Sequence, residues 1–397
     1  MSFFTPSSWE TKDKRQPTIA RCGLCGLLKH CYSPKMQPSG LGKNAVLFIT
    51  GAPTKEEDRQ GTQFVDDAGN LLKAMLKEIG VKLDECWKSH SVLCRPKDDK
   101  VESKHIQSCQ PSVFNSIKEL QPNVIVLLGD TACESILQPA WKKGLGPISR
   151  WAGWSIPMLE HNAWVVPTYH PKDVLESKDG TLLRNIIMQH LELAFSLKDK
   201  PIKAIPTIKL QEQVEILQNE RSIKSRLRDL LTKKGLLAFD YETTGLKPER
   251  DEQKIVSCSF CFEGEDTFAF PWSPEIERLV SKILLSPNLG KIASNLKFEE
   301  RWTRRKLGHG VENWNWDTMN AAHILDNRQA ISSIKFQAFV HLGIGDYNSH
   351  LKHLLESEYP NELNRVHEIN IKDLLLYNGM DSLLEFKVSE IQKEIMN

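Results

Sequence analysis

Residues 196–208 (SLKDKPIKAIPTI) carry charge, two prolines and no regular apolar period, so no helix or strand pattern runs cleanly through them. That break constrains the fold more than any other feature. It separates residues 1–195 from residues 209–397, and each stretch is the size of one ordinary domain core. The first stretch contains two short apolar runs rich in β-branched residues, 44–50 (NAVLFIT) and 123–129 (NVIVLLG). Each leads through a turn into a helical pattern, the mark of strand–loop–helix units in an α/β domain. Two further strands are expected near Cys86–Val92 and Trp164–Thr168. Past the linker, a basic helical stretch precedes a strand at Leu236–Asp240. An alternating hairpin (KIVSCSFCFEGEDTFAFPW) follows, turning at Glu263-Gly264-Glu265-Asp266. The remainder, 275–397, reads as mostly helical.

Composition narrows the setting. With 40% hydrophobic and 26% charged residues the chain has a globular make-up, and no run approaches the roughly 18 apolar residues of a membrane helix. The start, MSFFTPSSWETKDKRQP, lacks the apolar segment of a secretory signal. Nine cysteines, an odd count, argue for thiols or metal ligands in a reducing cytoplasm. Net charge is only +1, but basic residues cluster at Arg221, Lys224, Arg226, Arg228, Lys233 and Lys234 and again at Lys297, Arg301, Arg304, Arg305 and Lys306. Each cluster reads as a phosphate-contacting patch or as a solvated helix face.

The second stretch holds carboxylates at telling spacings. Asp240 and Glu242 lie two apart on a strand and so point to one face. Oxygen ligands suit hard divalent ions such as Mg²⁺ or Mn²⁺, and two such ions held roughly 3.5–4 Å apart serve phosphodiester cleavage. Asn295-Leu296-Lys297-Phe298-Glu299 opens a helix with another carboxylate. Tyr377 and Asp381, four apart on an apolar helical pattern, share a face. In order, these motifs resemble the 3′→5′ proofreading exonuclease domain of family A (polymerase I-like) DNA polymerases, in the tyrosine-bearing class of four-carboxylate exonucleases. The resemblance implies an RNase H-like α/β fold and two Mg²⁺ or Mn²⁺ ions. It further implies that Asp240 bridges both ions, Glu242 and Asp381 bind the first, Glu299 serves the second through water, and Tyr377 orients the attacking water. The family usually has aspartate at Glu299, which makes Asp317 a substitute candidate beside its reading as a helix cap. The chain ends at Asn397 with no polymerase domain after the last motif, so a separate family A-type polymerase is the expected partner beside DNA 3′ ends. Cys258 and Cys261, three apart on a strand, point to opposite faces and read as packing residues.

In the first stretch, Cys22-Gly23-Leu24-Cys25 is followed by Cys94 and, after fourteen residues, by Cys109. Four thiolates in two groups fit zinc or an iron–sulfur cluster, and zinc is the commoner outcome of such spacing. Gly51-Ala52-Pro53-Thr54 follows a strand and leads into Gly61-Thr62-Gln63-Phe64-Val65, and Tyr169-His170-Pro171-Lys172 follows a later strand. Over about residues 20–195 this arrangement resembles the family 4 uracil-DNA glycosylases. The resemblance implies a uracil-DNA-glycosylase-like α/β/α sandwich and a 4Fe-4S cluster on Cys22, Cys25, Cys94 and Cys109. It implies a base pocket in which Phe64 stacks on a flipped base, His170 stabilises the leaving base and Leu175 wedges into the stack. Three positions depart from the family: Gly51 stands where an acidic residue is usual, His90 where an asparagine reads uracil, and Lys172 where a serine follows His-Pro. Two readings follow, a weak or altered glycosylase and a fold that only binds DNA. Arg150-Trp151-Ala152-Gly153-Trp154, and Trp314 with Trp316, read either as stacking surfaces for single-stranded bases or as buried packing. The fusion looks bacteriophage-encoded and suited to replication or repair.

Overall fold

The structure, a computed structural model, describes residues 20–397 except 203, 346, 348, 358 and 360. The amino-terminal segment read for a secretory signal lies outside the described residues. The chain divides into two units that part between Ala204 and Ile205.

The first unit is built on strands β1 (Val46–Thr50), β2 (Trp87–His90), β3 (Val124–Leu128), β4 (Ile156–Met158) and β5 (Ala163–Thr168), in the spatial order β2-β1-β3-β5-β4. The pairs β1/β2, β1/β3 and β3/β5 are parallel, and only β4 runs antiparallel. Every residue of β1 and β3 is buried, as a parallel sheet covered on both faces requires. On one face Val46, Phe48, Val124, Val126 and Val166 pack against Leu72 and Met75 of helix Asp67–Glu78 and Ile187 and Leu191 of helix Gly180–Leu197. Helix Asp130–Trp141 packs on β1 and β3, and helix Ser103–Leu120 packs on it in turn. The result is an α/β/α sandwich. Gly51, His90, Gly129 and His170 all fall at or just past the carboxyl ends of the parallel strands, where ligands of open α/β sheets bind. The short strand β4 was not legible beforehand, since three residues around Pro157 carry no period.

The second unit holds a six-stranded sheet of β6 (Val214–Ile216), β7 (Gly235–Thr243), β8 (Ile255–Phe262), β9 (Asp266–Pro271), β10 (Leu289–Ala293) and β11 (Trp314–Asp317), ordered β11-β10-β7-β8-β9-β6. Strands β7, β8 and β9 form an antiparallel meander, while β10 and β11 run parallel to β7. This is the RNase H-like arrangement. Residues 275–397 are mostly helical, as expected, but two strands that were not foreseen interrupt them. Both β10 and β11 are short, and their residues Lys291 and Asn315 disguise the apolar pattern; burial of Lys291 drops its pKa to about 8, and its ammonium donates to the Ser286 carbonyl at 2.6 Å.

Strand alternation sorts the second unit into two faces. Leu237, Phe239, Tyr241, Cys258 and Phe260 enter one core with Trp302, Ile276 and Val280. Ala238, Cys261 and Ile292 enter the other with Met380, Leu383 and Leu384 of the long helix Ile371–Met396. Cys258 and Cys261 thus lie on opposite faces, both fully buried. Since residues two apart share a face, Asp240 and Glu242 follow Ala238 toward that helix.

The aromatic segments pack inward. Trp151 is fully buried with its ring edge-on to Trp141 at 5.5 Å, which corrects the base-stacking reading of Arg150–Trp154. Trp314 stacks on Phe239 at 5.6 Å and donates to Glu300, and Trp316 donates to Gln392. Several residues of the basic clusters are engaged by carboxylates: Arg226 and Lys233 with Asp266, Arg301 with Glu249, Arg304 with Glu300 and Arg305 with Asp251.

Candidate functional site

In the second unit, ligand oxygens of Asp240, Glu242 and Asp381 lie within 4.8 Å of one another. The first two come from the strand face described above, and Asp381 from the long helix that covers it. Asn378, three residues before Asp381, fastens the helix to the strand. Its Nδ2 donates to the Asp240 carbonyl at 3.2 Å and to Asp240 Oδ2 at 2.7 Å, while its Oδ1 accepts from Ser257 at 3.0 Å. Ser259 Oγ donates to the Asn378 carbonyl at 2.8 Å. Leaving any one of these buried groups unpaired would cost about 1–3 kcal/mol, so the relative position of Asp240 and Asp381 is tightly held.

Tyr377 lies one turn before Asp381 and is nearly buried. Its hydroxyl accepts from Lys335 Nζ at 2.7 Å, and the same ammonium donates to Asp381 Oδ2 at 2.8 Å. Tyr347 donates to the other Asp381 oxygen. Burial pulls the Lys335 pKa down, but Asp381, Glu242 and Asp240 outweigh it and keep the group firmly cationic. Lys335, Tyr347 and Asn378 were not singled out from sequence. Lys335 and Tyr347 sit in segments whose residues give no spacing to the motifs, and only folding brings them in.

Glu299, on helix Leu296–Leu307, is 2% exposed and its Oε2 has no hydrogen-bond partner. Burial, then the neighbouring Asp240, hold its pKa well above the carboxylate range. Asp240 and Glu242 are raised for the same reasons, burial first and then mutual repulsion with Asp381. A set of hard oxygen donors, raised in pKa and short of partners, fits divalent cations. Asp317 does not belong to it. Its carboxylate accepts from the backbone N–H groups of Asn295, Leu296, Met319 and Asn320 at 2.9–3.3 Å, so it caps two helix starts, which corrects its candidacy as a substitute ligand.

The first unit gathers a second set of polar groups at its strand ends. His170 caps helix Pro171–Glu176, and its Nδ1 accepts from the Lys172 N–H at 3.1 Å. The ring proton therefore sits on Nε2, which donates to Thr50 Oγ1 at 2.9 Å. Burial lowers the His170 pKa against the pull of Asp173, Asp66 and Glu57, leaving a neutral imidazole. Glu57 accepts from the backbone N–H groups of Thr54 (2.8 Å) and Phe64 (2.5 Å) and pairs with His90 Nε2 at 3.1 Å. Burial would raise the Glu57 pKa, but His90 overcomes it and the carboxylate stays ionised. His90 is fully buried, and its Nδ1 has no partner. Phe64 is buried in a left-handed conformation (φ 57°), and a Cβ on Gly69 would meet its carbonyl at 2.4 Å, so glycine is needed there. Gly51 faces the Thr131 side chain, and Leu175 is 53% exposed. Glu57 was not among the residues read from sequence, although its place seven before Phe64 was visible.

Cys22 and Cys25 flank one turn of helix (Cys22–Cys25) beside helix Ser103–Leu120, which carries Cys109. Cys94 Sγ accepts from the Lys35 N–H at 3.2 Å and Cys109 Sγ from the Leu93 N–H at 3.5 Å. Burial raises Cys94 to about 12 and Cys109 to about 11, with Cys31 next to Cys94 and with Cys25 and Cys22 acting on Cys109.

The two sites define a glycosylase-like sandwich joined to an acidic exonuclease domain. The family descriptions agree: residues 40–192 match the uracil DNA glycosylase superfamily, and residues 214–395 match a 3′-5′ exonuclease domain. The type-4 uracil-DNA glycosylase of Thermotoga maritima is 30% identical over 159 residues, covering 39% of this chain and 78% of that protein. That of Archaeoglobus fulgidus is 30% identical over 174 residues, 42% of this chain and 84% of its own. Through its first unit the chain belongs to the type-4 uracil-DNA glycosylase family. The catalytic core of RRP6 from Trypanosoma brucei aligns at 16% identity over 46% of each chain with a TM-score of 0.34, too low to carry an argument.

Proposed function

We propose that the protein is a metal-dependent 3′→5′ DNA exonuclease whose first unit is a glycosylase-like module for engaging DNA. The observation that carries this is the convergence of Asp240, Glu242 and Asp381 within 4.8 Å, on a strand and a helix 138 residues apart at the Asn378–Asp240 contact. Bound divalent ions would supply an acidified water and would offset charge on the leaving 3′ oxygen. Asp240, Glu242, Asp381 and Glu299 would hold the ions. Tyr377, whose oxygen receives the Lys335 ammonium, keeps its own proton free to hold the attacking water in line. The water oxygen bonds to phosphorus, the P–O3′ bond breaks, and a nucleoside 5′-monophosphate leaves a new 3′ hydroxyl. End-labelled DNA incubated with Mg²⁺ or Mn²⁺ should shorten stepwise from the 3′ end. Retention of full activity by Asp240→Ala would end this assignment.

A second reading concerns the first unit. His170 with its Nε2 proton and the seated Phe64 favour residual base excision, whereas Gly51 and His90 remove the usual water-positioning and uracil-reading groups. Uracil-containing DNA treated with the Asp240→Ala protein and then alkali distinguishes them: breaks at uracil mean excision, and intact strands mean a DNA-binding module. A 4Fe-4S cluster on Cys22, Cys25, Cys94 and Cys109 belongs to the same reading, supported by the family and by the backbone N–H groups aimed at two of the sulfurs. Protein purified without oxygen should be brown, and Cys109→Ser protein colourless. A separate family A-type polymerase as partner, with a bacteriophage source, completes the proposal. Co-purification of the two polypeptides tests the partnership.

A further inference from the structure

Glu385 was not singled out from sequence, yet it is the carboxylate that most needs a partner. It lies one turn beyond Asp381 on helix Ile371–Met396, so Tyr377, Asp381 and Glu385 form a stripe at spacings of four. It is 1% exposed. Its Oε1 accepts from the Ser294 N–H at 3.1 Å, at the end of β10 and just before the helix start that carries Glu299. Its Oε2 is buried with no hydrogen-bond partner, as is Glu299 Oε2. The groups that act on it are Asp240, Glu299 and Asp381. A buried carboxylate oxygen that has no hydrogen bond and feels three other carboxylates is stabilised either by a proton or by a cation.

We propose that Glu385 is a fifth metal-ligating carboxylate, which together with Glu299 and Asp240 completes the position of the second divalent ion. The proposal rests on the exonuclease reading and deepens it. Charge accounting supports it. Asp240, Glu242, Glu299, Asp381 and Glu385 carry five negative charges when ionised, Lys335 carries one positive charge, and the difference of four equals two divalent cations. The arrangement also accounts for Glu299 standing where aspartate is usual. The second ion would be held by two glutamates, one from the 296–307 helix and one from the 371–396 helix. Asp317 takes no part, being occupied by four backbone N–H groups.

The test is Mn²⁺ binding counted by electron paramagnetic resonance in full-length wild-type, Glu385→Gln and Glu385→Asp proteins. Glutamine keeps the acceptor for Ser294 and removes only the charge. Wild type should bind two ions. Glu385→Gln should keep one at wild-type affinity and weaken the other at least about tenfold. The Mg²⁺ concentration that half-activates nucleotide release should rise by the same factor. Glu385→Asp, with its charge withdrawn by one methylene, should fall between, and it carries the test if the glutamine variant does not fold. Two ions at unchanged affinity in the variants would overturn the proposal, and a lowered melting temperature with that result would assign Glu385 a purely structural role. Failure of wild type to bind Mn²⁺ at all would instead remove the exonuclease reading on which the proposal stands.

Discussion

The two units meet the problem of buried charge in opposite ways. In the glycosylase-like unit the protein itself partners the buried carboxylate at both oxygens. Glu57 is ionised, pairs with His90 and accepts two backbone N–H groups, while His170 is a neutral ring tied at both nitrogens. In the exonuclease unit the carboxylates outnumber their partners, and Glu299 and Glu385 each keep an unpaired buried oxygen. The closed carboxylate, partnered at both oxygens, is stable as it stands, whereas the open set, with unpaired buried oxygens, is stabilised by protons or by cations.

The largest expected effect attacks the open site. Asp240→Ala should lower nucleotide release by about a thousandfold or more, since the shared ligand underlies several kcal/mol of transition-state stabilisation; quenched-flow or gel assays of end-labelled DNA measure it. Next comes the closed site. Glu57→Leu leaves His90 Nε2 and the Thr54 and Phe64 N–H groups without their acceptor, at about 1–3 kcal/mol for each buried group, so the first unit should melt earlier while nuclease activity is retained. Calorimetry resolves the two units. Equal destabilisation of both would break the comparison.

Smaller effects sharpen it. Mn²⁺ at about a hundred times its dissociation constant should stabilise the second unit by about 2.7 kcal/mol and leave the first unchanged. In the metal-free protein, pH should act on the second unit with a defined sign. Glu299 and Glu385 have folded pKa values above their ordinary 4.5, so the folded state holds protons that the unfolded chain has released. Stability is then fully present below the ordinary carboxylate range and is lost as pH rises toward the raised values, by at most about 1.4 kcal/mol per pH unit for each group. Denaturant titrations from pH 4.5 upward should display this slope, and Glu385→Gln should flatten it. A slope of the opposite sign would mean that these carboxylates are already compensated.

Local pattern carried much of this architecture. β1 and β3 are continuous apolar runs, and the β8–β9 hairpin alternates cleanly, so each announces itself within a few residues. The Asp240/Glu242 pair and the Tyr377/Asp381 pair are equally local, because strand and helix periods decide which face a side chain takes. What could not be read were elements whose buried polar residues interrupt the apolar pattern. β10 contains Lys291, whose ammonium reaches the Ser286 carbonyl, and β11 contains Asn315 and Asp317. For Trp151 the sequence left base stacking and buried packing both open, and its contact with Trp141 decides for packing.

The sequence by itself determined the break between the two stretches, the shared face of Asp240 with Glu242 and of Tyr377 with Asp381, and the cysteine spacing, since these follow from periods and distances along one segment. Only the tertiary structure decided that Asp317 caps helix starts, that Lys335 and Tyr347 engage Asp381, and that Glu385 joins the acidic centre. The physical reason is that a carboxylate's role depends on which donors reach its oxygens. Those donors come from segments remote in the chain, brought within reach only when the sheet closes against the final helix.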